Sequence, residues 1–250
     1  MKKTFPVFIL VSVLCLLSAC GSSASPSQTS QPEPTLAPTE AVTPADSSEI
    51  QDDVQETVIA PAETSGSHIL VAYFSRIGNT VFEPDVDAVT SASINVQNGE
   101  FFGNAQLLAQ MAQEATGGDL FLIETVETYP SAYRDTTDLA SVEQAQSARP
   151  ALASHVENMD DYDTIILIYP NWWGTLPMPL YTFLEEYDFS GKTILPLCTH
   201  EGSRMGSSES AIASLCPDAT LLGGLAVRGG SAASAQADVE SWINNSGILG

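Results

Sequence analysis

The sequence predicts an α/β domain built on a doubly wound, five-stranded parallel sheet. Three observations carry this. From Ser67 onward, five short apolar runs alternate with stretches of helical periodicity. The strongest runs are apolar at consecutive rather than alternate positions, as in strands buried on both faces. They also fall within about 180 residues, the size of one doubly wound domain.

The elements follow in order. Residues 69–74 (ILVAYF) read as the first strand and 119–124 (DLFLIE) as the second. The third, 164–169 (TIILIY), is the most apolar, and 193–198 (TILPLC) and 219–225 (ATLLGGL) complete the set. Between the first two strands, Ala105, Leu107, Leu108, Met111, Ala112 and Ala115 recur at helical spacing after Gly103-Asn104. Further helices are predicted over 150–158, 179–186, 208–215 and 237–243. The segment 81–102, with Pro84 and many polar and β-branched residues, interrupts the first βα unit, and Asn98-Gly99 predicts a hairpin turn there.

Ahead of the domain the chain has a different character. Lys2 and Lys3 precede an apolar stretch, 5–17, that is short for a membrane span. It ends in Leu17-Ser18-Ala19-Cys20, which resembles the lipobox of bacterial lipoproteins. The resemblance implies that residues 1–20 form a signal peptide and that Cys20 is lipidated, anchoring the protein outside the cytoplasmic membrane. The alternative is an ordinary secretory signal that carries a cysteine. Residues 21–66 are rich in Ser, Thr, Pro, Ala and acids, without Lys, Arg or an aromatic residue. Such a segment buries too little apolar surface to offset its ordering entropy, so it reads as a disordered linker. The folded domain is assigned to 67–250.

Charge narrows the function. The chain carries 31 Asp and Glu against 8 Lys and Arg, a formal charge of −23. Nucleic acid is not an expected partner, because phosphate binding needs clustered basic residues. Repulsion disfavours an anionic membrane surface, so membrane contact is expected through the anchor alone. Cys15, Cys20, Cys198 and Cys216 lack the spacing of a zinc site or redox pair, and no metal is expected. Cys198 and Cys216 read as buried thiols, with a disulfide the alternative that an exported location permits.

Ligands of open parallel sheets sit beyond the carboxyl ends of the strands. After the first strand comes Ser75-Arg76-Ile77-Gly78-Asn79-Thr80, a loop suited to cradling a phosphate with backbone N–H groups, or an ordinary turn. After the third comes Pro170-Asn171-Trp172-Trp173-Gly174, whose adjacent tryptophans either face a ligand or cap the core. After the fourth comes Thr199-His200-Glu201-Gly202-Ser203, rich in backbone donors. Together these loops suit a planar, phosphorylated heteroaromatic ligand.

The set resembles the flavodoxins, and among them the flavodoxin-like FMN-binding proteins of bacteria. The resemblance rests on the loop 75–80, on Tyr169 to Gly174, on 181–185 (YTFLE) and 189–193 (FSGKT), and on the Thr199 to Ser203 loop. It spans about residues 68–230 and implies strand order 2-1-3-4-5. It also implies that 75–80 hold the FMN phosphate, that a tryptophan of 170–174 packs on the isoalloxazine, and that 199–203 line its pyrimidine end. Two features depart from a plain flavodoxin. The insertion before the first long helix implies a split phosphate site, with Asn104 and Ala105 contributing beside Ser75 and its neighbours, and both Gly78-Asn79 and Gly103-Asn104 are candidates for the phosphate. His200 and Glu201 stand where relatives carry Ser and Gly; His200 is either a donor to flavin or substrate, or a solvated loop residue. In relatives the stretch holding Tyr129, Pro130 and Tyr133 lies near the exposed flavin edge, though packed surface aromatics explain it equally. No role is assigned to His68 or His155.

The function this implies is electron transfer outside the cytoplasm, between the membrane and outside acceptors. The domain's own charge, near −17 once the linker's acids are set aside, is expected to lower the potential of flavin reduction and to steer basic partners. One rival is an FMN-dependent NAD(P)H:quinone-type reductase. The other is a lipoprotein that binds a ligand without redox chemistry.

Overall fold

The computed structural model describes residues 68–89 and 92–250. The expected signal peptide, Cys20 and the expected linker lie outside these residues. The described elements are β1 (Ile69–Tyr73), a single distorted turn α1 (Arg76–Asn79), β2 (Ile94–Gln97), β3 (Glu100–Gly103), α2 (Asn104–Thr116), β4 (Asp119–Leu122) and α3 (Tyr133–Ala145). Then follow β5 (Thr164–Pro170), α4 (Met178–Glu186), β6 (Thr193–His200), α5 (Ser208–Leu215), β7 (Thr220–Leu221), β8 (Leu225–Arg228) and α6 (Gln236–Ser246).

The main sheet is parallel and ordered β4-β1-β5-β6-β7, with β8 also on β6. Since β7 and β8 run in succession along β6, they form one interrupted fifth strand, and the order is the predicted 2-1-3-4-5. All seven residues of β5 are buried, so alternate side chains feed two cores. Ile165, Leu167 and Tyr169 pack with Leu180 and Phe183 of α4 and Ile212 of α5. Ile166 and Ile168 pack with Leu108 and Ala112 of α2 and Val239 and Ile243 of α6. Each buried Leu, Ile or Phe contributes about 1.5–3 kcal/mol. Cys198 and Cys216 are free, and burial pushes their thiols up to about 12 and about 11.

The fifth strand departs from the predicted 219–225 for a reason written in β6. Ile194 pairs with Leu221 and Leu197 with Leu225, so the outer strand carries one extra residue. Even-numbered residues of β6 turn their backbone groups outward here, since the Ile194 carbonyl accepts from the Leu222 N–H at 3.0 Å. Pro196 lies on that same side and has no N–H to donate, so the ladder breaks opposite it.

One helix expectation needs correction, and one helix was not expected. The predicted helix over 150–158 is not formed. That segment runs extended beside the end of β4, with Val126 N–H bonded to the Ala151 carbonyl and Ala153 N–H to that of Glu124. The helix of this unit is α3, which buries only Thr136 and Ala140 and so lacks an apolar stripe to reveal it. The inserted hairpin is present as predicted: β2 and β3 pair antiparallel, and Asn98 and Gly99 at φ 53° and 83° make a turn of the I′ kind. Thr199 and His200 belong to β6 rather than to the loop after it.

Candidate functional site

A cavity of about 260 Å³ opens at the carboxyl end of the sheet. Arg76 lines it from the loop after β1, and Asn171, Trp172, Trp173 and Gly174 from the loop after β5. Glu201 and Ser203 line it from the loop after β6. The structure therefore gathers residues of all three predicted loops around one space. Ala92 and Ser93 of the insertion and Tyr133, Thr136, Thr137 and Ala140 of α3 complete the lining. The sequence signal for α3 was its freedom from Gly and Pro over 131–149, with Asp135 in the first turn.

Arg76 is fully buried. Its Nη1 donates to the Ala88 carbonyl at 2.9 Å, and its Nη2 to the carbonyls of Pro130 and Ser131 at 2.8 Å each. The guanidinium also stands over the Phe82 ring, 5.2 Å from its centre. Its partners are thus neutral, and burial pulls its pKa down to about 10, so it stays charged at neutral pH. Its buried Nε has no partner among the described residues.

The Trp loop is a tight hairpin. Trp172 and Thr175 exchange both backbone hydrogen bonds, at 3.0 and 3.1 Å, around Trp173 and Gly174 at φ 52° and 84°. A bulky residue in the left-handed region costs about 1–2 kcal/mol, and Asn or Gly is the usual occupant of this turn position. The arrangement separates the two indoles. Trp172 packs edge-on against Phe74 and Tyr129, with its Nε1 bonded to Ser93 Oγ at 2.9 Å. Trp173 is 59% exposed, with its Nε1 bonded to the Thr137 carbonyl of α3. Behind Trp172, the Tyr129 hydroxyl donates to Glu143 at 2.9 Å, and burial raises the pKa of both groups.

Asn171 ties this hairpin to the next loop. Its Oδ1 accepts from Gly174 N–H and its Nδ2 donates to the Arg204 carbonyl, at 2.9 and 2.8 Å. Gly206 packs so closely that a Cβ there would lie 2.1 Å from the Gly174 carbonyl oxygen.

The phosphate-loop residues are placed differently from the expectation. Ser75 and the start of α2 do meet, since a Cβ on Gly103 would stand 2.1 Å from Ser75 Oγ. Yet Ser75 is buried and its Oγ accepts from Ile77 N–H at 3.2 Å. Asn79 is committed to the scaffold: its Nδ2 donates to the Ser75 and Ile123 carbonyls, and its Oδ1 accepts from Thr125 N–H and Oγ1. Asn104 and Ala105 are buried as well. Ile77, Gly78, Thr80, Pro170, Thr199, His200 and Gly202 do not line the cavity. The buried Oγ1 atoms of Thr80 and Thr199 have no partner among the described residues.

A model of the flavodoxin family matches residues 93–246. The chain belongs to the flavodoxin family. The matched span takes in the hairpin insertion from Ser93 on, the Trp loop and the Thr199 to Ser203 loop, while 75–80 precede it. Among solved structures, a candidate flavoprotein from Bacteroides uniformis ATCC 8492 is 29% identical, with 72% of this chain and 99% of that one covered and a TM-score of 0.55. Another from Bacteroides eggerthii DSM 20697 is 28% identical over 72% of this chain and 98% of its own, also at 0.55. No curated protein matches the sequence. FMN is the cofactor of this family, and the residues present fit its flavin end: a cavity lined by two indoles and by a buried cation whose Nε has no partner among the described residues. The cavity is smaller than the roughly 300–1,000 Å³ of complete small-molecule sites, as suits the ring alone.

Proposed function

We propose that this protein binds FMN in the cavity and transfers electrons outside the cytoplasmic membrane, to which lipidated Cys20 tethers it. Flavin supplies the redox chemistry, and the chain supplies binding, orientation and electrostatics. The observation that carries the reading is Arg76: a buried cation, satisfied only by carbonyls, on the wall of an indole-lined cavity in a flavodoxin-family fold. Its charge favours electron-rich edges of a bound ring, while the domain's net negative charge opposes added electrons at longer range, where salt screens it. Trp172 is fixed by its packing and forms a wall. Trp173 is the exposed aromatic face available to cover a ring.

The deciding experiment is the visible spectrum of the purified protein after FMN addition and dialysis. Retained flavin absorbance with quenched fluorescence supports the reading, whereas a folded, colourless protein leaves the non-redox lipoprotein. Trp173→Gly relieves the left-handed strain, so stability is expected to hold or rise by up to about 1 kcal/mol. The same change removes a stacking partner, for about tenfold weaker flavin binding. A denaturant melt and a flavin titration read the two effects separately.

A second reading, an FMN-dependent reductase of small molecules, is favoured by the basic side chains beside the cavity. Steady-state consumption of NAD(P)H with a quinone acceptor tests it.

A further inference from the structure

The domain holds 23 acids and only six Lys or Arg, and the fates of those six differ. Arg149 pairs with Glu185 at 2.6 Å, and Lys192 donates to the carbonyls of Met159 and Tyr162. Arg76 is held by carbonyls, Arg134 is exposed on α3, and Arg204 and Arg228 are exposed, with no hydrogen bond or ion pair to either guanidinium among the described residues. Both act electrostatically on His200, which is Arg228's register partner across β6 and β8. His200 is 6% exposed, and its buried Nδ1 has no partner among the described residues. Burial and the two arginines hold its pKa below the ordinary value, with Glu201 opposing them.

Three basic groups therefore converge at one end of β6 and β8, with Glu201 the one carboxylate acting on His200. In a domain with almost four acids for each base, such a gathering repels itself and lacks the counter-ions that the rest of the surface offers in excess. A bound anion removes that penalty. The place is also suited to function. Glu201 follows His200 and Ser203 precedes Arg204, and both line the cavity.

We propose that His200, Arg204 and Arg228 form a subsite for the oxyanion group of the small molecule that exchanges electrons at the cavity. The proposal rests on the flavin reading for its electron-transfer role, while the anion site stands on the cluster alone. The substrate class is thus a polyvalent organic anion, a phosphate ester or a polycarboxylate, drawn to a basic cluster in an otherwise acidic domain.

Calorimetric titration of the FMN-saturated full chain with inorganic pyrophosphate in one arm and citrate in the other tests this. At least one anion is expected to bind, and R204Q/R228Q is expected to weaken it by at least about tenfold, with the difference shrinking as salt rises. Preference for pyrophosphate points to a phosphate ester, and preference for citrate to a polycarboxylate. FMN affinity, read separately by fluorescence quenching, is expected to be the same in both proteins. No binding of either anion below about 10 mM, or equal binding to wild type and R204Q/R228Q, overturns the proposal. If FMN is not retained, the flavin reading fails by itself. The same titrations on the flavin-free protein then decide the anion site, with R204Q/R228Q separating it from any anion held by Arg76.

Discussion

Arg76→Met is expected to lower the stability of the domain by about 3 kcal/mol and to abolish retention of FMN on dialysis. One side chain donates to three carbonyls from two separate stretches of chain, Ala88 and Pro130-Ser131, and Ala88 is fully buried. Methionine fills much of the volume but leaves those oxygens without their donor, at about 1–3 kcal/mol for each that water cannot reach. Removing a desolvated cation returns part of this, so the net falls below the sum. For a domain of this size the melting temperature should drop by about 10 °C. Arg76→Lys separates the two roles. It keeps a charge near the cavity but not the planar fork that spans the carbonyls, so stability should remain low while flavin affinity partly returns. A Met variant as stable as wild type would remove Arg76 from its structural role.

Gly206→Ala should act in the opposite way, sparing the fold and damaging the site. Its Cβ would meet the Gly174 carbonyl oxygen at 2.1 Å and carbon at 2.8 Å, both backbone atoms that cannot rotate aside. Gly206 also has φ +55°, which alanine adopts only with strain. The loop must then retreat from the Trp hairpin, breaking the 2.8 Å bonds from Ser207 N–H to the Gly174 carbonyl and from Asn171 Nδ2 to the Arg204 carbonyl. At about 1 kcal/mol for each bond, flavin affinity should weaken by about thirtyfold. Far-UV circular dichroism should stay unchanged, because 201–207 hold neither helix nor strand, although Met205 packs against the first core. Unaltered affinity in a flavin titration would show that the two loops need not be docked for binding.

The parts of the fold that follow from hydrophobic period and turn chemistry were legible in the sequence. The five apolar runs became the sheet, α2 began at Asn104, and Asn98-Gly99 made the hairpin turn. Elements whose cause lies elsewhere in the chain were not. The break between β7 and β8 depends on a proline in the neighbouring strand, and α3 is amphipathic only in small residues, Thr136 and Ala140. The site shows the same division. Its three loops were visible because residue types cluster after strands. The work of individual side chains was not, because their partners are distant: Arg76 reaches carbonyls 54 and 55 residues away, and Asn79 reaches Thr125, 46 residues away. Both sit in a segment that reads as a phosphate loop, yet both are ties between segments.

The interruption opposite Pro196 also bears on how these molecules behave in company. Exposed sheet edges invite strand addition by a neighbouring chain, and this hazard grows with local concentration. Here one edge is split into a two-residue and a four-residue piece with an extra residue between them, so it offers no continuous row of donors and acceptors. The other edge, β4, is four residues long, and just past its end 151–153 pairs with 124–126. Among the described residues, the main sheet therefore offers crowded copies no long template for joining, and the excess of carboxylates keeps them apart.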